Sequence, residues 1–150
     1  AQLALVGRGP LAEAIRQPAI PGVHVVGLLE GKALSAAYAS ADVFAFPSTT
    51  ETFGNSLLEA MASGLPSLAA AAGGVLDFAR AGENALLVAP GSRDGLIAGL
   101  SRLLHDAGLR RRLSAGGLRT AGERQWEAID DRLIDDYRAA AGTRILVRAA

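Results

Sequence analysis

The sequence predicts an α/β fold in which helices cover both faces of a doubly wound parallel sheet. Three observations indicate this fold. Short apolar runs alternate with longer segments of helical period along most of the chain. The apolar runs lack alternating polar residues, as is typical of parallel strands that are covered on both faces. Glycine and proline residues separate the two kinds of segment.

Five apolar runs are predicted to be strands. They are Leu3 to Val6, Val23 to Val26, Val43 to Phe46, Ser67 to Ala70 and Ala85 to Val88. The helical segments are Pro10 to Arg16, Lys32 to Ser40, Asn55 to Ser63 and Val75 to Ala81, followed by a helical pattern from Arg93 to Ala141. We assign residues 1–142 to one domain and leave the tail, 143–150, unassigned.

Composition excludes several classes of function. The 150 residues contain 15 Lys and Arg against 15 Asp and Glu, so no general attraction to nucleic acid is expected. The absence of cysteine excludes disulfides, thiolate zinc sites and cysteine nucleophiles. His24 and His105 are far apart in sequence, and no histidine metal site is expected.

Neither a secretion signal nor a membrane span is expected. Ala1 to Val6 is short, lacks a basic leader and runs directly into Gly7, so it resembles a buried strand rather than a signal peptide. No apolar stretch is long enough to cross a bilayer. The sequence therefore predicts a soluble, cytoplasmic protein.

Candidate ligand-binding loops follow the predicted strands. In an open parallel sheet, ligands bind beyond the carboxyl ends of the strands, where loops enter the following helices. Four such loops have a distinctive sequence: Gly7 to Pro10, Gly27 to Lys32, Pro47 to Gly54 and Ala71 to Gly74.

The loop after the third strand has the most distinctive sequence. It enters a helix whose first amides lack internal partners and form an anion site, and Gly54 lets a phosphate approach the backbone. A diphosphate fits this geometry. Glu59, one turn into the helix, can accept two hydrogen bonds from the vicinal hydroxyls of a ribose. Glu51 would face the other end of the ligand.

Each of these features also has a purely structural interpretation. Ser56 to Glu59 fits a capping box, Glu51 is an ordinary exposed loop acid, and Phe53 is a core aromatic. Gly7 to Pro10 fits a tight turn with a proline-started helix, because the third glycine of a dinucleotide fingerprint is missing. Gly73-Gly74 fits either a turn or a backbone contact to substrate.

The order of the motifs along the chain is specific. They are Gly7-Arg8-Gly9-Pro10, Ala39 to Phe44, Pro47-Ser48, Glu51-x-Phe53-Gly54-Asn55-x-x-Leu58-Glu59-Ala60-Met61-Ala62-x-Gly64-x-Pro66, Gly73-Gly74, Gly82-Glu83-Asn84, Leu86 to Pro90 and Trp126-Glu127. This order strongly resembles glycosyltransferase family 4 over nearly the whole chain, with only the tail outside the resemblance.

The resemblance implies a retaining GT-B glycosyltransferase with two Rossmann-like domains facing across a cleft. The chain is similar to the C-terminal domain, which binds a nucleotide-diphosphate sugar as the donor substrate. The implied reaction transfers a glycosyl group to an acceptor, with fixed dipoles and cations stabilising the diphosphate leaving group. No cofactor and no metal are implied, and the chain has no Asp-x-Asp pair.

The resemblance also implies roles for individual residues. Glu51 is implied to be a catalytic residue, the first acid of the family's paired-glutamate motif, which contacts the donor sugar near the reacting carbon, and Glu59, the second acid, holds the ribose. We do not assign Glu51 as a nucleophile, because a front-face mechanism is the common proposal for this fold. The other implied donor-binding residues are Phe53, Gly54 and Asn55 for sugar and phosphate, Leu28 and Leu29 for the base, and Gly9 for the diphosphate.

Three departures from the family pattern limit these expectations. The family's upstream arginine and lysine, and its acceptor-binding N-terminal domain, are absent from this chain, so we expect the chain to be inactive alone. Leu76-Asp77 replaces the usual proline and glutamate. A full-length enzyme would be cytoplasmic or peripheral to the membrane.

Two alternatives to the glycosyltransferase interpretation remain open. One is a non-catalytic nucleotide-binding or interaction module that keeps the fold and works with a separate partner chain. The other is an unrelated nucleotide-binding Rossmann protein, which would make the resemblance accidental.

Overall fold

The computed structural model describes residues 1–17, 19–124 and 126–142. The chain divides into two compact units, Ala1–Ala41 and Asp42–Ala150. The tail that the sequence left unassigned lies outside the described residues, and the predicted domain bounds stay a prediction. Within the described part of the chain, no helix has both the length and the apolar character needed to cross a membrane.

In the first unit, the part of the chain that the structure describes forms two parallel strands and two helices. They are β1 (Leu3–Val6), α1 (Ala12–Arg16), β2 (Val23–Gly27) and α2 (Gly31–Ala39). Leu3 pairs with Val23, and the register shifts between Leu5 and Val6. No described residue of this unit is buried. Strands β1 and β2 consist of exposed and partly buried residues.

The described residues of the second unit form a three-stranded parallel sheet and four α-helices. The elements are β3 (Phe44–Phe46), α3 (Asn55–Ala62), β4 (Ser67–Ala70), a 3₁₀ helix (Gly73–Asp77), β5 (Leu86–Val88), α4 (Arg93–His105), α5 (Ala107–Gly122) and α6 (Trp126–Gly142). The strand order is β3-β4-β5, with Phe44 opposite Ser67 and Leu68 opposite Leu86.

Both faces of this second sheet are covered. Successive side chains of a strand point to opposite faces, so Leu68 and Ala69 of β4 enter different clusters. One cluster contains Ala69 with residues of α3 and the 3₁₀ helix, namely Leu57, Met61 and Val75. The other contains Leu68 and Leu86 with residues of α4 and α5, namely Leu103, Leu109 and Leu113. The predicted doubly wound α/β architecture is confirmed here.

The helix predicted over Val75 to Ala81 is wrong: this segment contains the end of the 3₁₀ helix and an irregular turn. The last helical hydrogen bond of this segment joins the Ala79 N–H to the Val75 carbonyl at 2.8 Å, and side-chain hydrogen bonds follow at Arg80. The Arg80 guanidinium donates to the carbonyls of Leu76 and Asp77 at 2.8 and 3.2 Å. The Arg80 backbone N–H donates to Asn84 Oδ1 at 2.6 Å instead of continuing a helix.

The continuous helical pattern after Arg93 is divided into three helices. Ser92 caps the start of α4, and its Oγ accepts a hydrogen bond from the Gly95 N–H at 3.0 Å. Asp106 is extended, with φ −112° and ψ 93°, and its carboxylate accepts from the Leu109 N–H at 2.8 Å. The break falls at Asp106 because this residue caps α5 instead of continuing α4.

Candidate functional site

The loop between β3 and α3 ends at a glycine that the fold requires. Gly54 is the N-cap of α3, with φ +97°, a left-handed conformation that favours glycine. A Cβ at this position would lie 3.1 Å from Val75 Cγ2 and 3.4 Å from Phe78 Cζ. Glycine at position 54 is therefore explained by backbone conformation and packing, independently of any ligand.

The start of α3 presents backbone donors. The Gly54 carbonyl accepts from the N–H groups of Leu57 and Leu58 at 3.0 and 3.1 Å, which closes the first turn. The N–H groups of Gly54 and Asn55 have no hydrogen-bond partner among the residues that the structure describes. Unpaired amides and the positive end of the helix dipole favour an anion here.

The two carboxylates flank this helix start in sequence. Glu51 is partly exposed in the loop, and Glu59 is exposed as the fifth residue of α3. A capping box requires serine at the N-cap, but the N-cap is Gly54 and Ser56 is the second helical residue. The capping-box interpretation is therefore wrong, because α3 begins two residues before the capping box would start it.

Phe53 is a surface residue of the loop. Its side chain is 40% exposed, whereas Phe78 is 2% exposed. The two ring centroids are 5.6 Å apart, with an interplanar angle of 43°. Phe78 is the core aromatic, so the interpretation of Phe53 as a core residue is wrong. Phe53 instead packs one side of its ring on the core and leaves the remainder accessible.

Gly73 and Gly74, which follow β4, pack against the loop that follows β3. A Cβ on Gly73 would collide with the Glu51 carbonyl oxygen, and a Cβ on Gly74 would lie 2.6 Å from Phe53 Cα. The Gly74 N–H donates to the Glu51 carbonyl at 3.1 Å. The two loops meet because β3 and β4 are neighbouring parallel strands.

In the first unit, Gly9, Leu28 and Leu29 follow the carboxyl ends of β1 and β2. Gly9 precedes α1, and a Cβ there would meet no atom within 4 Å, so packing does not dictate glycine. Leu28 is 52% exposed and Leu29 is partly exposed. These three residues therefore follow the ends of strands where parallel sheets commonly bind ligands.

The sequence did not predict the buried residues that pack against the loop between β3 and α3. Val75 and Phe78 contact Gly54, and Asn84 fixes the turn that follows. The only sequence signal was the Gly82-Glu83-Asn84 motif, whose structural role was not inferred. Among the described residues, no group of three or more His, Asp or Glu side chains could hold a metal ion.

Comparison with known proteins identifies the family to which this α/β architecture belongs. A parallel sheet with functional loops at its carboxyl edge defines a broad class of ligand-binding α/β proteins. The family model described as "Glycosyl transferases group 1" matches residues 1–106, which is more than half of the chain. The chain belongs to this family.

Three relatives illustrate the match. Sulfoquinovosyl transferase SQD2 of Arabidopsis thaliana is 36% identical over 146 residues, covering 94% of this chain and 28% of that protein. A GDP-mannose-dependent alpha-mannosyltransferase of Mycolicibacterium smegmatis is 39% identical over 150 residues, covering 99% of this chain and 39% of that protein. The solved sucrose-phosphate synthase of Thermosynechococcus elongatus has a TM-score of 0.81 and 30% identity, over 93% of this chain and 38% of that one.

These comparisons confirm the predicted family and fold class. The relatives are GT-B glycosyltransferases of the family 4 type. The chain spans 28% and 39% of the length of the two curated relatives, so it corresponds to part of such an enzyme.

Proposed function

We propose that this chain is the donor-binding part of a retaining glycosyltransferase, which transfers a glycosyl group from a nucleotide-diphosphate sugar to an acceptor held by a separate N-terminal domain. The strongest support for this proposal is the arrangement of backbone donors at the start of α3. There, the unpaired N–H groups of Gly54 and Asn55 lie between Glu51 and Glu59 in sequence. The name of the GDP-mannose-dependent relative supports a nucleotide-diphosphate sugar as the donor.

The diphosphate would bind at the two unpaired amides. The N-terminus of a helix carries the equivalent of about half a positive charge. Negative charge grows on the diphosphate as the bond to the sugar breaks, and fixed dipoles aimed at that charge lower the barrier. In this arrangement, the chain's contribution to catalysis is stabilisation of the leaving group.

The two carboxylates would bind opposite ends of the donor. Glu51 precedes the amides and would contact the sugar near the reacting carbon, without forming a covalent intermediate. Glu59 follows Asn55 by four helical residues, a rise of about 6 Å. A carboxylate at that distance would accept hydrogen bonds from the ribose hydroxyls.

Roles in donor binding are also proposed for three residues of the first unit. Leu28 and Leu29 would contact the nucleotide base through exposed apolar surface, and the open space at Gly9 would admit the diphosphate. Phe53, partly exposed, would contribute its backbone amide on the sugar side. The acceptor would bind on the N-terminal domain.

Calorimetry with GDP, UDP and ADP, and with GDP-mannose, UDP-glucose and ADP-glucose, tests the proposal. We expect at least one nucleoside diphosphate to bind. Glu59→Ala should weaken its binding by about 10-fold or more, because hydrogen bonds to a charged group contribute about 1.5–3 kcal/mol. Glu51→Gln should leave nucleoside diphosphate binding unchanged and reduce only the additional affinity that the sugar provides.

The same calorimetry can also contradict the proposal. If none of the six compounds binds at millimolar concentration and Glu59→Ala has no effect on any of them, the donor-site proposal is wrong.

A further inference from the structure

We propose that Gly74, together with Gly73, is a positioning residue that sets the backbone of residues 51–53 and does not itself contact the donor. This inference rests on the proposed function of Glu51 at the donor sugar. The glycine pair then supports the loop that contains Glu51, Thr52 and Phe53, named here the donor loop. This role differs from both the turn and the substrate contact that the sequence allowed.

Gly73 and Gly74 leave no space for a side chain. The side-chain positions of both glycines are occupied by the backbone of the neighbouring loop: the Glu51 carbonyl oxygen for Gly73, and the backbone of Thr52 and Phe53 for Gly74. A methyl group on either residue would have to displace that backbone. Van der Waals contact between carbon atoms requires about 3.5–4.0 Å. The loop would therefore move by roughly 1 Å to accommodate a Gly74 Cβ that lies 2.6 Å from Phe53 Cα.

A hydrogen bond fixes the same contact. The Gly74 N–H donates to the Glu51 carbonyl at 3.1 Å, so this N–H is already used within the protein. This hydrogen bond holds the backbone carbonyl of Glu51 itself. A shift of the loop therefore moves the proposed catalytic residue.

The remainder of the segment 73–78 holds the other end of the loop. Val75 and Phe78 contact the position of Gly54, and the Phe78 ring packs on Phe53. Both Val75 and Phe78 are buried in the core. The glycine pair thus contacts residues 51–53, and Val75 and Phe78 lie beside Gly54, where the phosphate would bind.

The variant Gly74→Ala distinguishes the support of residues 51–53 from the support of Gly54. Gly74 has no positive φ, so alanine adds the steric contact without backbone strain, unlike Gly73, whose φ is +55°. The displacement falls on residues 51–53, while Gly54 keeps its contacts with Val75 and Phe78. We expect Gly74→Ala to remove the additional affinity that the sugar provides, and to change the affinity for the nucleoside diphosphate alone by less than about 3-fold.

Two glycines of the α4–α5 region provide matched controls. A Cβ on Gly99 would lie 2.6 Å from Leu68 Cδ1 in the core, away from the loop. A Cβ on Gly122 would meet nothing within 4 Å. Gly99→Ala should lower the melting temperature but keep the ratio of the two affinities, and Gly122→Ala should change neither.

The experiment uses the nucleoside diphosphate that the wild type binds most tightly from the panel above, together with the corresponding nucleotide sugar. The positioning inference is wrong if Gly74→Ala keeps the wild-type affinity ratio, or if Gly99→Ala changes that ratio equally. If the wild type binds no nucleotide, that result contradicts the proposed donor-binding function and not the positioning role of Gly74.

Hydrogen exchange of the wild type tests the inference without any variant. The Gly74 N–H should be protected in the free protein, because it is bonded to Glu51. If it exchanges freely without ligand and becomes protected only when a nucleotide sugar is added, the glycine pair contacts the donor and the inference is overturned. This measurement decides the question even if Gly74→Ala fails to fold.

Discussion

At the scale of single residues, a buried asparagine joins three segments of the second unit. Asn84 is 3% exposed. Its Oδ1 accepts from the Arg80 N–H at 2.6 Å, and its Nδ2 donates to the Phe78 carbonyl at 2.9 Å and to Thr120 Oγ1 at 2.8 Å. These bonds fix the end of the segment that carries Phe78, and through Phe78 they support the donor loop.

Asn84→Ala should therefore destabilise the protein substantially. Removing the amide leaves the buried Phe78 carbonyl and the part-buried Arg80 N–H without these partners, at a cost of about 3 kcal/mol. Urea unfolding measures the loss. Asn55→Ala is the matched control, because Asn55 is exposed, and its effect should stay within about 0.5 kcal/mol. Equal losses for the two variants would contradict the assigned role of Asn84.

At the scale of elements, α5 packs closely enough that glycine is needed at its contacts. A Cβ on Gly116 would collide with the Glu83 carbonyl, and a Cβ on Gly117 would lie 3.1 Å from Met61 Cγ. Helix α5 thereby contacts both α3 and the turn that contains Asn84. The position of α5 depends on where it begins, which Asp106 determines.

Asp106→Ala should cost about 1 kcal/mol of stability, since it removes the side-chain bond to the Leu109 N–H. Asp106→Asn should cost much less, because asparagine is an equally good N-cap. The free energy of unfolding of both variants, measured in urea, checks this. A large loss in the asparagine variant would show that the negative charge, rather than the cap, is responsible.

At the scale of the whole molecule, burial is distributed unequally between the two units. The second unit contains two hydrophobic clusters, one on each face of its sheet. In the first unit, no described residue is buried, and large apolar side chains such as Leu3 and Leu28 are half exposed. Local stability follows buried apolar contacts, so the two units should differ in stability.

Native-state hydrogen exchange should detect this difference. We expect the backbone N–H groups of β1 and β2 to exchange at least about 10-fold faster than those of β4, whose Leu68 and Ala69 are fully buried. A difference of 1.4 kcal/mol in opening free energy corresponds to about 10-fold in rate. Equal protection of the two sheets would show that the units open together.

The sequence by itself determined the strands, their parallel order and the family, because buried parallel strands and strand-to-helix loops leave local patterns. Leu3–Val6 and Ser67–Ala70 were predicted at their observed bounds. The order of its motifs also predicted a set of candidate site residues. Their roles in donor binding stay proposals.

The tertiary structure alone decided which residues hold the site in place. The start of α3 at Gly54, the contact of Gly74 with Glu51 and the packing of Phe53 on Phe78 join segments that are separate in sequence. A sequence pattern records local conformation and burial. It does not record which backbone occupies the space beside a glycine, because that depends on how neighbouring strands bring their loops together.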